Sequence, residues 1–192
     1  LLVNMLNQQM HDRRQAVRQT VEVAHSLVSH YGQLAAQGRL TPTEAQRQAM
    51  AALNGLRYDQ REYFWVNDLD GQMIHHPIKP QLNGTFVGDM KDPNGVKLFQ
   101  EFNGTVRQHG QGFVNYQWPK PGEDAPVDKV SYVKGYQPWN WVIGSGLYVD
   151  DIHKAFAREA LQVMVCTGLC ALLLGGLALR TARRLTRGVD AA

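Results

Sequence analysis

The chain has 192 residues, with 20 Lys and Arg against 17 Asp and Glu, and a formal net charge of +3 at pH 7. Residues 1–159 hold 16 residues of each sign, so the excess positive charge lies after residue 159. A domain without net charge lacks the basic surface that binds a phosphate backbone. The composition therefore excludes a nucleic-acid-binding domain, and we expect no nucleic-acid partner.

The first predicted element is a long helix over residues 3–37. Apolar or small residues recur in it every seven positions, at Val3, Met10, Val17, Ala24 and Tyr31, as on one face of a helix. Two interpretations stay open: a stalk that pairs with its copy in a homodimer, or a helix packed on its own domain. Because the chain begins with Leu1 and no initiator Met, we also expect a membrane helix or signal anchor before it.

A second helix is predicted from Thr41 to about Leu56. Thr41 is a suitable N-cap, Pro42 suits the first helical position, and Glu44 would complete a capping box. The apolar period then changes from that of a helix to that of a strand. Residues 62–67 and 72–76 are predicted to be two strands joined by a tight Asp-Gly turn.

After these strands the chain alternates loops, one helix and three more strands. A loop rich in Gly and Asn extends to Gly88, and helical spacing returns between Val96 and Gly110. Strands are predicted at residues 112–118, 129–136 and 139–148, and a further helix begins at Asp150. The fold class is therefore α+β, with a long N-terminal helix and a five-stranded antiparallel sheet.

Residues 160–179 form a segment of twenty residues without a charge, which is about the length that a helix needs to cross a membrane. Four arginines follow, and positive charge next to a membrane helix marks the cytoplasmic side. We therefore expect residues 1–159 outside the cell. Both cysteines lie in this segment, so the outer domain must depend on its core. The alternative is a buried helix of a soluble protein.

The strand region contains several short motifs that are specific in combination although each alone is weak. They are YFWVND (63–68), Asp70-Gly71, His76-Pro77, LNG (82–84), GFVNYQWP (112–119), SYVK (131–134) and WNWVIGSGLY (139–148). Together they resemble a single Cache domain, the extracytoplasmic sensor of chemoreceptors, histidine kinases and cyclic-dinucleotide enzymes. The resemblance covers roughly residues 3–155.

The resemblance implies a PAS-like sheet on a long helix, followed by a transmembrane helix. The expected domains are residues 1–155 as the extracytoplasmic ligand-binding domain, 156–180 as the membrane helix and 181–192 as the cytoplasmic start of a HAMP-like linker. In that linker Gly188 stands where the pattern has Pro. Cytoplasmic signalling domains, of the methyl-accepting, kinase or cyclase kind, are the implied partners beyond it.

Strand alternation predicts which side chains converge on a ligand. Aromatic rings with a Lys and a His make an apolar box with a cationic end, which suits a short carboxylate. The resemblance implies acetate, propionate, pyruvate or lactate. The candidate ligand-binding residues are Tyr63, Trp65, His76, Lys79, Tyr116, Trp118, Tyr132 and Lys134. For each, a structural role remains open: core packing for the aromatics, a strand end for His76 and a solvated position for Lys134.

The sequence gives little support to a metal site or to nucleophilic catalysis. His75 and His76 face opposite sides of a strand, with no Cys or carboxylate at metal-ligand spacing, and Gly144-Ser145-Gly146 lacks a nucleophile elbow. We therefore expect no catalytic residue, metal or cofactor, and a sensor in place of an enzyme. Signalling would pass from the last strand into the exit helix. The alternative function is a ligand-free dimerisation module or a platform for a periplasmic partner protein.

Overall fold

The computed structural model describes residues 2–58 and 62–189. The α-helices in this part of the chain are α1 (Leu2–Ala36), α2 (Pro42–Gly55), α3 (Leu98–His109) and α4 (Val149–Val189). The strands are β1 (Trp65–Asp68), β2 (Met73–His75), β3 (Gln111–Pro119), β4 (Pro126–Tyr136) and β5 (Trp141–Tyr148). The predicted α+β class is confirmed, and the helices and strands lie where the sequence patterns placed them.

The strands form one antiparallel sheet in the order β2-β1-β5-β4-β3. The last strand of the chain, β5, therefore lies in the middle, between β1 and β4. All eight of its residues are buried, because neighbouring strands cover its edges and helices cover the sheet. Lys129 lies opposite both Tyr148 of β5 and Tyr116 of β3 in the register.

Helices cover both faces of the sheet. The Tyr136 hydroxyl lies against Gly32 of α1, whereas Gly135 lies against Val106 of α3. Because adjacent residues of a strand point to opposite faces, α1 and α3 lie on opposite sides of β4. The main apolar cluster lies on the α3 side and includes Phe99 and Phe102.

Helix α2 begins at the predicted position, but its capping differs in part from the prediction. The Thr41 hydroxyl accepts a hydrogen bond from the Glu44 amide at 3.2 Å, which is one half of a capping box. The Glu44 carboxylate, however, accepts hydrogen bonds from Arg47 and Gln48, each at 2.6 Å. The charge of Arg47 makes this the stronger interaction for the carboxylate, and these bonds lower the pKa of Glu44 to about 2.

Two glycines of β5 make room for side chains from the neighbouring strands. A Cβ atom on Gly144 would overlap the Trp65 indole. A Cβ atom on Gly146 would overlap the Ser131 hydroxyl and lie 2.7 Å from the Val130 carbonyl oxygen. The Gly-Ser-Gly segment thus keeps the centre of the sheet open for the large side chains on the α3 face.

Helix α4 follows β5 without a loop, since β5 ends at Tyr148 and α4 begins at Val149. By length and composition, residues Val149–Leu177 are long and apolar enough to cross a membrane, and they are the one such segment among the described residues. The chain divides into two compact units, Leu1–Asp150 and Asp151–Ala192.

We predict that Gly146→Ala lowers the free energy of unfolding by about 1–3 kcal/mol, because the new methyl group would press on rigid backbone as well as on Ser131. Gly104→Ala is the matched control. Its Cβ atom would meet nothing within 4 Å, and Ala in a helix is favoured over Gly by about 0.5–1 kcal/mol. Urea denaturation of both variants measures the difference, and equal stability of Gly146→Ala and the wild type would contradict this account.

Candidate functional site

A small cavity lies between the sheet and α3, with a volume of about 10 Å³, roughly the room that one water molecule needs. Its walls are almost entirely aromatic or aliphatic, and one titratable imidazole interrupts them. The lining residues are Tyr63, Trp65, His76, Leu98, Phe99, Phe102, Tyr116 and Trp118.

A buried lysine stands beside this cavity. Lys129 is 1% exposed, and its ammonium lies 3.4 Å from the Tyr63 hydroxyl and 3.3 Å from the Tyr148 hydroxyl. It also lies 4.6 Å and 4.5 Å from the centres of those two rings, within the range of cation–π attraction. Within the described residues Lys129 forms no salt bridge, and its ammonium contacts neutral phenols and π-faces.

His76 packs against the Tyr63 ring, with a ring-centre separation of 5.0 Å. Its Nδ1 accepts hydrogen bonds from the backbone amides of Ile78 at 3.3 Å and Lys79 at 3.0 Å. Burial, aided by the charges of Lys129 and Lys79, lowers the pKa of His76 to about 3. The ring is therefore neutral at physiological pH, and because Nδ1 is an acceptor, Nε2 carries the proton as a donor.

Hydrogen bonds fix the polar groups of the remaining walls. The Tyr116 hydroxyl pairs with Ser131 at 2.9 Å, and burial raises the pKa of Tyr116 well above its usual value, so the phenol stays protonated. The Trp65 indole donates to Asn67 at 3.1 Å, and Asn67 donates to Asn103 of α3 at 2.8 Å. The indole N–H is thereby satisfied, so that Trp65 presents an apolar surface to the cavity.

The structure brings five of the eight predicted site residues together, namely Tyr63, Trp65, His76, Tyr116 and Trp118. Lys79 lies near them but outside the cavity. Its ammonium is 4.7 Å from the centre of the Trp118 ring, and both residues line a groove on the surface. Trp118 is therefore a wall shared by the groove and the cavity.

The prediction that Tyr132 and Lys134 converge with these residues is wrong. The Tyr132 ring packs on Phe113, with ring centres 4.8 Å apart, and the Lys134 ammonium lies 4.0 Å from Glu22 of α1. Both belong to the face of β4 that α1 covers. Lys129 lies on the opposite face. It pairs with Tyr116 of β3 and Tyr148 of β5 in the sheet register, and these two tyrosines identify it as the lysine of the site.

We predict that His76 makes folding stability depend on pH. An unfolded chain takes up a proton on His76 near pH 6.5, whereas the folded chain does so only near the pKa of about 3. The unfolded state thus binds more protons between these values, and the free energy of unfolding falls as the pH falls, by up to about 1.4 kcal/mol per pH unit. His76→Gln should make this slope shallower between pH 6 and 4. The exposed His11→Gln should leave it unchanged, and parallel slopes for all three proteins would contradict the prediction.

The sequence has clear relatives among bacterial sensors. Methyl-accepting chemotaxis protein McpP of Pseudomonas putida is 40% identical over 180 residues, which are 94% of this chain and 33% of that protein. Sensor histidine kinase MctS of Rhizobium johnstonii is 38% identical over 116 residues, which are 60% of this chain and 24% of the kinase. The chain thus spans between a quarter and a third of the length of these relatives.

Two solved structures share the fold, each with a TM-score of 0.72. The periplasmic sensor domain of a chemotaxis protein is 56% identical and covers 73% of this chain and 97% of its own. The other is a Cache chemosensory domain whose structure is described as the basis for carboxylic acid recognition. It is 43% identical and covers 74% of this chain and 97% of its own. The family described as single Cache domain 2 matches residues 9–162. With this match and these relatives, the chain belongs to the single Cache sensor domains of bacterial receptors.

Proposed function

We propose that this chain is the sensor part of a bacterial transmembrane receptor and that it binds a short-chain monocarboxylate in the cavity beside Lys129. The observation that carries the proposal is the buried Lys129 ammonium, which forms no salt bridge with a described residue. A buried charge is costly unless it is paired. A carboxylate bound next to it would supply the missing negative charge.

The polar groups near Lys129 match the two oxygens of one carboxylate. Lys129 would donate to one oxygen, and the Nε2–H of His76 and the phenols of Tyr63 and Tyr116 are further neutral donors. Hydrogen bonds to a charged acceptor are roughly twice as strong as neutral ones. Since His76 is neutral, Lys129 is the one charged donor in this set, which suits a monoanion better than a dicarboxylate.

The opposite walls are apolar and suit a short hydrocarbon tail. Trp65, Trp118, Leu98 and Phe102 would contact it, and Lys79 would attract the anion from the groove outside Trp118. The cavity is smaller than any carboxylic acid, so binding requires the walls to separate. This requirement favours the smallest acids, of the acetate, propionate, pyruvate and lactate type. The carboxylic acid recognition described for the 43% identical Cache domain supports the same class.

The chain's organisation supports signalling across a membrane. We propose that residues 1–155 lie in the periplasm, that residues 156–180 cross the inner membrane, and that residues 181–192 begin a cytoplasmic linker. The relatives are a methyl-accepting chemotaxis protein and a sensor histidine kinase. The receptor would act through a cytoplasmic output domain of such a kind, as a homodimer, and the sensor part would have no chemistry of its own. A ligand shifts such a receptor only by its affinity difference between two conformations.

We predict that Lys129→Met weakens carboxylate binding by at least about 30-fold. A ligand at a hundredfold excess over Kd stabilises the folded wild type by about 2.7 kcal/mol. The loss of a buried charge-assisted contact costs about 2–5 kcal/mol, which is roughly 30-fold to several thousand-fold in Kd. Isothermal titration and thermal melts of the purified chain with acetate, propionate, pyruvate and lactate measure both effects. Without acid, Lys129→Met should be at least as stable as the wild type, because an unpaired buried charge has been removed.

Lys134→Met is the matched control, since Lys134 lies on the same strand but on the α1 face. It should keep the wild-type affinity. Loss of binding in Lys134→Met with retention in Lys129→Met would place the ligand on the wrong side of the sheet for this proposal. The failure of every acid to bind or stabilise the wild type would instead favour a platform for a partner protein.

A further inference from the structure

Tyr148 contacts the proposed ligand-binding cation and directly precedes the exit helix. It is the last residue of β5, and α4 begins at the next residue, Val149. Its hydroxyl accepts from Lys129 at 3.3 Å and donates to the Pro119 carbonyl at 3.0 Å. Its side chain is 3% exposed. One buried phenol therefore joins β4, the end of β3 and the end of β5.

A second ammonium contacts the same ring. The Lys120 ammonium lies 5.5 Å from the Tyr148 ring centre and 2.8 Å from a carboxylate oxygen of Asp150. Asp150 belongs to the first turn of α4, where a negative charge is favourable. Since Lys129 lies 4.5 Å from the same ring centre, the two ammonium groups are no more than about 10 Å apart and repel each other in a buried environment.

We infer that Tyr148 is a positioning residue that transmits the occupancy of the Lys129 site to the first turn of α4. This inference rests on the proposed function, because it takes the anion at Lys129 as its input. A carboxylate there neutralises one of the two cations on the Tyr148 ring. The repulsion of Lys120 is relieved, so that its salt bridge to Asp150 strengthens and the first turn of α4 becomes more stable.

The Tyr148 hydroxyl has a separate part in this arrangement, because it fixes the ring between the two cations. Tyr148→Phe keeps the ring but removes both hydrogen bonds, so the ring can turn away from Lys129 and Lys120. The Tyr63 hydroxyl still accepts from Lys129 in this variant. We therefore expect the propionate affinity to fall less than about tenfold, while the effect of propionate on α4 is lost.

The test measures hydrogen–deuterium exchange of the full chain in lipid nanodiscs, with and without saturating propionate, together with affinity by titration calorimetry. In the wild type, propionate should slow exchange by about threefold or more at the amides of residues 153–156, which donate to the carbonyls of the first turn of α4. In Tyr148→Phe at saturation this protection should disappear. Lys120→Met should lose it too, since the salt bridge to Asp150 is absent. Tyr136→Phe, on the α1 face of β4, should keep both affinity and protection.

The outcomes separate this inference from the proposed function. If Tyr148→Phe saturated with propionate shows the same slowing of exchange as the wild type, Tyr148 does not transmit the signal and the inference is wrong. Propionate that binds the wild type without slowing exchange at the start of α4 overturns it as well and leaves the proposed function standing. Propionate that fails to bind the wild type contradicts the proposed function, and the inference fails with it.

Discussion

The burial of one positive charge is the constraint on which the arrangement of this sensor domain depends. An ammonium group removed from water needs a compensating charge or a dense set of favourable dipoles. Around Lys129 these are two phenols and two aromatic faces, which compensate the charge in part. An incompletely compensated charge of this kind lowers the stability of the folded domain. The need to bind an anion is a physical reason for burying it.

The sheet topology is what makes this burial possible. Because β5 lies between β1 and β4, Tyr148 of β5 and Tyr63, which precedes β1, both reach Lys129 of β4, and Gly146 of β5 leaves room beside it. Helix α3 covers this face of the sheet with Leu98, Phe99 and Phe102. The same central strand continues into α4, so the strand that borders the proposed site also leads to the candidate membrane span.

Much of this architecture follows from sequence patterns, because helices and strands have different apolar periods and their turns contain characteristic residues. The site was harder to predict. On β4 both faces are covered, so Tyr132 on one side and Val133 on the other are equally buried, and alternation cannot tell which face holds the cavity. The sequence therefore predicts Lys134, which shares a face with Tyr132, and leaves out Lys129, which stands at the predicted end of the strand, where lysines are usually solvated. The proton position on His76 depends on two loop amides that no pattern reveals.

A crystal structure of the chain with bound propionate tests the central claim most directly. We expect density for the acid between β4 and α3, with its carboxylate about 3 Å from the Lys129 ammonium and from Nε2 of His76, as charge-assisted hydrogen bonds require. Its tail should contact Trp118 and Phe102. Propionate bound beside Lys134, or only in the groove outside Trp118 next to Lys79, would contradict it.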